Sequence, residues 1–371
     1  RPVSYTTASQ VKMTGRVCNY AAVFQLTVTL CALLTFSTYQ LSNYYSTVPK
    51  LLTIGSSLLN LSNFDTPISS NNVSLINEVN GLMPLSGYLG RNNSSPDPAS
   101  CPRSDSQASN RLCVPLTLAD LNSTCPKPVD FGRLRCGFWL APPACGAATA
   151  CVAVIVPYRN RLVNLLLLVQ HLHNLLQRQA INHGIFVVEQ NDQLPFNRAK
   201  LLNIGFKLSQ NYHSCDCFVF HDADKLPESL LVDYSCSRSR PRHLIGRLLN
   251  LASRKYSPGK MYHNFFGGVV AVTKRQFESV NGNSNLYYGW GREDDELSVR
   301  LRIKHWRVAY SDQSAKYVNL KHADDIKVNS MPWPSVSAVR RRMTSDGLNS
   351  LKYNLTGVYC HPLFTIFSVQ V

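Results

Sequence analysis

Four consecutive acids, Glu293-Asp294-Asp295-Glu296, follow Gly289-Trp290-Gly291-Arg292, with Phe265-Phe266-Gly267-Gly268 upstream of both. Adjacent carboxylates repel one another and desolvate poorly, so a folding core has no use for such a run, whereas proton-transfer chemistry does. Crowding by Glu293, Asp295 and Glu296 is expected to raise the pKa of Asp294 through like charge, which suits it to take a hydroxyl proton near neutral pH. The same acids also suit a helix N-terminus, where the macrodipole favours negative charge, and the two readings are compatible. Trp290, between two glycines, has the permissive backbone of a hinged lid. Further upstream, the apolar run Cys217-Phe218-Val219-Phe220 reads as a buried strand that delivers Asp222-Ala223-Asp224 at its carboxyl end. Carboxylates at i and i+2 leaving a strand can converge on one hard cation that bridges two phosphates.

The elements that must position these groups follow an α/β pattern. Ala153 to Val156 is a short buried-strand pattern ending at Pro157, Leu162 to Gln179 is an amphipathic helix, and Ile185 to Glu189 is the next strand. Strand, helix and strand in that order imply a parallel sheet. Ligands of such sheets bind beyond the carboxyl ends of the strands, where Tyr158-Arg159-Asn160-Arg161 and Asp222 to Asp224 both fall.

The formal net charge of +16 over 371 residues suits nucleic acid, an anionic membrane or an anionic substrate, or a merely solvated basic surface, and no nucleic-acid motif accompanies it. Val17 to Tyr39 is the only long apolar run, and Arg1, Lys12 and Arg16 precede it. That asymmetry places residues 1–16 in the cytoplasm and makes 17–39 a transmembrane signal anchor. A cleaved signal peptide competes with this reading, but no small-x-small cleavage site stands out. Residues 40–123 are rich in Ser, Asn and Pro, and sequons at Asn60, Asn72, Asn92, Asn93 and Asn122, with another at Asn354, mark them as a glycosylated lumenal stem. Residues 124–371 remain as one catalytic domain. Twelve cysteines in such a chain argue for disulfides whose pairing counting cannot deduce.

Six ordered runs, Val154 to Arg161, Phe196 to Asn203, Asp222 to Asp224, Phe266 to Val269, Gly289 to Glu296 and Ser345 to Leu351, resemble the animal β-1,4-galactosyltransferase family in order and spacing. The resemblance covers roughly Cys125 to the C-terminus. It implies a GT-A fold, an α/β domain that binds a nucleoside diphosphate sugar through a metal, and residence in the Golgi membrane as a single-pass type II protein. By position it also suggests the disulfides Cys125–Cys145 and Cys217–Cys236. Pro157, Tyr158, Arg159, Arg161, Phe196 and Arg198 would then surround the uracil and ribose, Lys255 would meet the phosphates, and Asp222, Ala223, Phe265, Gly268 and Trp290 would complete the donor site. Asp224 and His322 would hold Mn2+ or Mg2+, with Asn319 where the family commonly has methionine; an amide oxygen is the harder ligand. Asp294 matches the catalytic base and Glu293 stands beside it. Arg292, Glu293, Asp294, Asp295, Trp333 and Val336 would meet an acceptor sugar, aromatic faces stacking well on pyranose rings.

Three residues beside the donor depart from the family pattern: Arg292 stands where glycine is usual, Lys225 where an apolar residue follows the Asp-x-Asp, and Phe265 where a tyrosine or smaller residue sorts donor sugars. The resemblance therefore implies inverting transfer of galactose from UDP-galactose to the 4-hydroxyl of a terminal N-acetylglucosamine, without a nucleic-acid partner. N-acetylgalactosaminyl transfer is the alternative within the class. From another class, a sugar-binding protein without turnover is motivated by Arg292, Lys225 and Asn319, while retention of Asp222, Asp224, Asp294 and His322 counts against it.

Overall fold

The computed structural model describes Leu112 and residues 114–117, 133–142, 151–321 and 328–371. All of these fall within one compact unit, Asn71–Val371. The expected cytoplasmic tail and anchor, nearly all of the stem, Cys125, Cys145 and His322 lie outside the described residues, among which no helix is long and apolar enough to cross a membrane.

After the short strand β1 (Phe138–Trp139), the chain runs β2 (Cys151–Tyr158), α1 (Leu162–Arg178) and β3 (Asn182–Gln190), the strand-helix-strand unit that the apolar runs imply, then α2 (Arg198–Ser209), which they did not show, and β4 (Cys217–His221), the expected buried strand. Next come β5 (Lys225–Pro227), β6 (Arg242–His243), β7 (Arg247–Asn250), β8 (Lys255–Pro258) and β9 (Val269–Thr273). The remainder is α3 (Lys274–Ser279), α4 (Glu293–Ile303), β10 (Ala309–Tyr310), β11 (Lys316–Asn319), α5 (Val336–Arg342), β12 (Asn354–His361) and β13 (Phe364–Gln370). Among the described residues the main sheet has nine strands, ordered β10-β6-β9-β4-β2-β3-β13-β12 with β1 on β3, and a second has four, ordered β5-β11-β7-β8.

The expected parallel pairing holds at the centre, where β2 runs parallel to β3 and β4, and β13 parallel to β3. It fails at the flanks: β9 is antiparallel to β4, and β12 to β13, so the sheet is mixed. An apolar strand such as β9, buried along its whole length, reads the same in either direction, so periodicity alone could not show this.

Alternation along β2 divides the core into two layers. Val152, Val154 and Val156 pack with Leu165, Leu168, Leu172 and Leu176 of α1 on one face. Ala153 and Ile155 pack with Leu201 and Phe206 of α2 and Leu297 of α4 on the other. Each such side chain taken from water contributes about 1.5–3 kcal/mol, which is why the central strands are held firmly enough to fix groups at their ends. Leu112, within the segment read as stem, is buried and donates its backbone N–H to the Glu228 carbonyl at 2.9 Å.

Cys217 pairs with Cys236, as the resemblance suggests. Cys136–Cys360 and Cys151–Cys215 are further bridges whose partners lie 224 and 64 residues apart in sequence. The first ties the β1 region to the C-terminal hairpin, and the second ties the start of β2 to the approach to β4.

Candidate active site

The carboxyl ends of β2 and β4 and the N-termini of α2 and α4 converge on one cluster of charge. Arg198, the first residue of α2, reaches Asp222 at the end of β4 with Nε 2.6 Å from Oδ1, and Glu293 at the start of α4 at 3.6 Å. Burial alone would lower the pKa of Arg198, but Asp222, Glu293 and Asp294 outweigh it and raise the value. Arg198 is thus paired with carboxylates at the position where the resemblance implies a ribose contact. Arg159 donates to the carbonyls of Asp192 and Leu194 at 3.2 and 2.7 Å and lies over the Phe196 ring at 5.3 Å, which shapes the loop ahead of α2. Pro157 and Tyr158 are buried at the end of β2, and Arg161 is the N-cap residue of α1. Lys255 is exposed on β8, three strand positions from β5.

Asp294 stands in the first turn of α4, where Oδ1 accepts the Asp295 backbone N–H at 2.9 Å. Its other oxygen packs directly on Gly267: a Cβ there would lie 2.2 Å from Asp294 Oδ2 and 2.8 Å from the tip of the Phe265 ring. Glycine at 267 is therefore required by space. Gly267→Ala must push Asp294 or Phe265 aside, and because misplacing a catalytic group by about 1 Å costs on the order of 100-fold, we expect kcat to fall by that order with an unchanged circular dichroism spectrum. Turnover within threefold of the parent would show that the contact is slack.

The pKa of Asp294 is pushed up to about 8, first by burial, then by Glu293 and Asp295, while Arg198 opposes the rise. Like charge contributes as expected, but loss of water is the larger cause. Glu293 and Asp295 are also raised, burial again leading. The run of four acids does not act as one unit. Glu293 and Asp294 face the cluster with Arg198, and Asp295 accepts from the Tyr262 hydroxyl at 2.7 Å. Glu296 turns inward with no exposed surface and binds Arg300, so its reading as chemistry is corrected to a structural one.

Several aromatic side chains of the neighbouring segments are exposed. Trp290 is 71 % exposed and Trp333 63 %, and the Tyr262 ring stands 5.2 Å from Phe265 and 6.3 Å from Trp333. Val336, at the start of α5, is also exposed. Gly289 and Gly291 take φ of 93° and 101°, the left-handed conformation that glycine permits without cost, and Arg292 follows at 73°. Asn329 donates its backbone and side-chain N–H groups to the Trp290 carbonyl at 3.2 and 2.9 Å, and Arg292 donates to the Met331 carbonyl. The loops bearing Trp290 and Trp333 are thereby laced together, so a lid movement of Trp290 would carry both. Sequence reasoning missed Tyr262, which sits in no motif run; only its place three residues before Phe265 could have pointed to it.

Where the resemblance expects a metal, Asp224 Oδ2 and Asn319 Oδ1 each lie 2.6 Å from Lys225 Nζ. Two hard oxygens thus already converge on one positive charge, the donor chemistry that a divalent cation uses. Ala223 is buried between the two aspartates, whose backbone is pinned by Asp222 N–H donating to the Gly268 carbonyl at 3.0 Å and by Leu320 N–H donating to the Asp224 carbonyl at 2.8 Å.

A mixed α/β sheet carrying an acidic pair at one strand end, beside a helix that begins in carboxylates, fits a glycosyltransferase of GT-A-like fold. Family comparison agrees: the N-terminal region of glycosyl transferase group 7 matches residues 101–237, and the N-terminal domain of galactosyltransferase matches residues 247–323. The chain is 38 % identical to human β-1,4-galactosyltransferase 4 over 259 residues, 69 % of this chain and 71 % of the relative. It is 39 % identical to bovine β-1,4-galactosyltransferase 1 over 223 residues, 59 % and 54 % of the two chains. The chain belongs to the β-1,4-galactosyltransferase family. Among solved structures, the catalytic domain of Drosophila β1,4-galactosyltransferase 7 with xylobiose aligns with a TM-score of 0.50 at 30 % identity, covering 60 % of this chain and 94 % of that one. A mutant of the same Drosophila enzyme, solved with manganese, UDP-Gal and xylobiose, aligns equally well.

Proposed function

We propose that this chain transfers galactose from UDP-galactose to the 4-hydroxyl of a terminal N-acetylglucosamine on a glycoprotein or glycolipid, with inversion to a β1,4 linkage. The observation that carries the reading is Asp294: a carboxylate raised to about 8 and packed against Gly267. Its Oδ2 takes the acceptor hydroxyl proton as the hydroxyl oxygen bonds to the anomeric carbon from the face opposite UDP; the bond from that carbon to the diphosphate breaks, UDP leaves, and the proton passes from Asp294 to solvent. One displacement with no enzyme nucleophile inverts the anomer, by the logic that separates the two glycosidase classes. Trp333, Tyr262 and Val336 give the acceptor ring its apolar wall, with Glu293, Asp295 and Arg292 at its polar edge. A divalent cation, Mn2+ or Mg2+, held by Asp224, Asn319 and His322 would draw charge from the departing diphosphate. Three disulfides among the described residues suit the oxidising lumen in which a type II Golgi protein keeps its catalytic domain.

Phe265 favours a second donor. Its ring packs edge-on against His243 and Tyr262, at 5.4 and 5.2 Å, and supplies no hydroxyl to the space that a 2-acetamido group would need. UDP-galactose and UDP-N-acetylgalactosamine should therefore be used within about tenfold of each other, one altered contact being worth roughly 1–2 kcal/mol. Phe265→Tyr is expected to favour galactose and Phe265→Leu N-acetylgalactosamine. A kcat/KM ratio for the two donors that is constant across all three proteins would remove Phe265 from donor choice.

A further inference from the structure

The side chain of Lys225 departs from the first position of β5, crosses close to Gly268 and ends between two acceptors. A Cβ on Gly268 would lie 4.0 Å from Lys225 Cε. In the antiparallel pairing of β5 with β11, Asn319 is the residue directly opposite Lys225. The ammonium is 2.6 Å from Asp224 Oδ2 and 2.6 Å from Asn319 Oδ1, and the Lys225 and Asp224 side chains are only 14 % and 10 % exposed. Two positions at which the sequence departs from the family pattern are thus one cross-strand contact, built around the carboxylate that would carry the metal.

An ammonium has three N–H donors and no acceptor. Asp224 and Asn319 take two, and the third is the natural partner of a phosphate oxygen. A small hard divalent ion such as Mg2+ on Asp224 and Asn319 needs oxygens at about 2.0–2.1 Å, and it cannot share both with a second positive charge seated between them. Either the ion or Lys225 holds that point.

We propose that Lys225 is a resident cation of the diphosphate subsite, which binds the diphosphate of a nucleoside diphosphate sugar without a divalent ion and which a divalent ion must displace in order to bind. The inference rests on the reading of the chain as a UDP-sugar transferase and adds that its own lysine performs part of what a metal does. The charge balance supports it: Asp222 is paired with Arg198, and Lys225 brings a positive charge to Asp224 beside the incoming diphosphate.

The test is titration calorimetry of UDP into the protein in excess EDTA and again with Mn2+, with electron paramagnetic resonance of Mn2+ as a separate measure of metal occupancy. The parent should bind UDP in EDTA with a Kd within about threefold of that in Mn2+, and Lys225→Leu should lose about tenfold or more of the metal-free affinity, the worth of one charge-assisted hydrogen bond. The same variant should bind Mn2+ at least about tenfold more tightly by resonance, since a competing charge has gone. Lys225→Arg, which keeps the charge, should retain metal-free binding and so separates charge from folding. Parent protein that binds UDP only with Mn2+, or Lys225→Leu with unchanged affinities for UDP and Mn2+, would overturn the proposal while leaving the transferase reading intact. Absence of UDP binding in either buffer would overturn both.

Discussion

Asp294→Asn is expected to lower kcat by about 100-fold or more and to leave the Kd for UDP within a factor of two, because general-base catalysis contributes 10²–10⁴ and the amide is nearly isosteric. The carboxylate is held by the Asp295 N–H and by contact with Gly267, neither of which needs its charge, so the loss should fall on turnover. The pH profile supplies a second reading of the same residue. With its pKa near 8, Asp294 is mostly protonated at pH 6, so kcat/KM of the parent should climb toward a plateau above pH 8. In the variant that limb should be absent. The folded protein also holds this proton more tightly than the unfolded chain, whose aspartate titrates at 3.8, so Asp294 destabilises the fold progressively as pH rises from about 4 to 8. The melting temperature of Asp294→Asn should therefore exceed that of the parent at pH 8 and converge with it near pH 4. A variant that keeps more than a third of parental kcat would remove Asp294 from the base role.

Glu296→Ala should bring the largest loss of stability among the acids of α4. Glu296 Oε1 accepts from Arg300 Nε and Nη2 at 3.0 and 2.9 Å, and Oε2 accepts from the Tyr287 hydroxyl at 2.6 Å and from Arg342. Arg300 has no exposed surface and donates onward to the carbonyls of Gly282 and Asp346 and to Asp346 Oδ2, at 3.2, 2.8 and 3.2 Å. Removing Glu296 leaves that guanidinium with the more distant Asp346 carboxylate alone, and breaking a buried ion pair from one side costs about 3–5 kcal/mol. For a domain of this size that corresponds to a fall in melting temperature of about 10 °C. A loss below about 1 kcal/mol would mean that Asp346 alone satisfies Arg300.

The first strand-helix-strand unit and strand β4 were legible because apolar runs of the right length leave few alternatives, and α1 ends within one residue of the expected Gln179, whereas α2 was not read from the sequence. The position of Asp222 at a strand end was legible for the same reason. What the sequence could not show depends on contacts distant along the chain. The antiparallel direction of β9, the bridges from Cys136 to Cys360 and from Cys151 to Cys215, and the opposition of Lys225 and Asn319 are all set by register and chain path. Within the acidic run, helical geometry turns Glu296 away from Asp294, and only the position of Arg300 one turn later hinted that it had a partner. The rise in the Asp294 pKa was expected from its neighbours in sequence; its larger cause, exclusion of water, needs the packed fold.

The most direct test of the account is the structure of the product. Incubation of the protein with UDP-galactose, Mn2+ and an N-acetylglucosamine glycoside, followed by proton NMR of the isolated disaccharide, should show one galactose with the large axial coupling of a β anomer, attached at O4, and one UDP released for each disaccharide formed. An α-linked product, attachment at another hydroxyl, or UDP release without a disaccharide would contradict it.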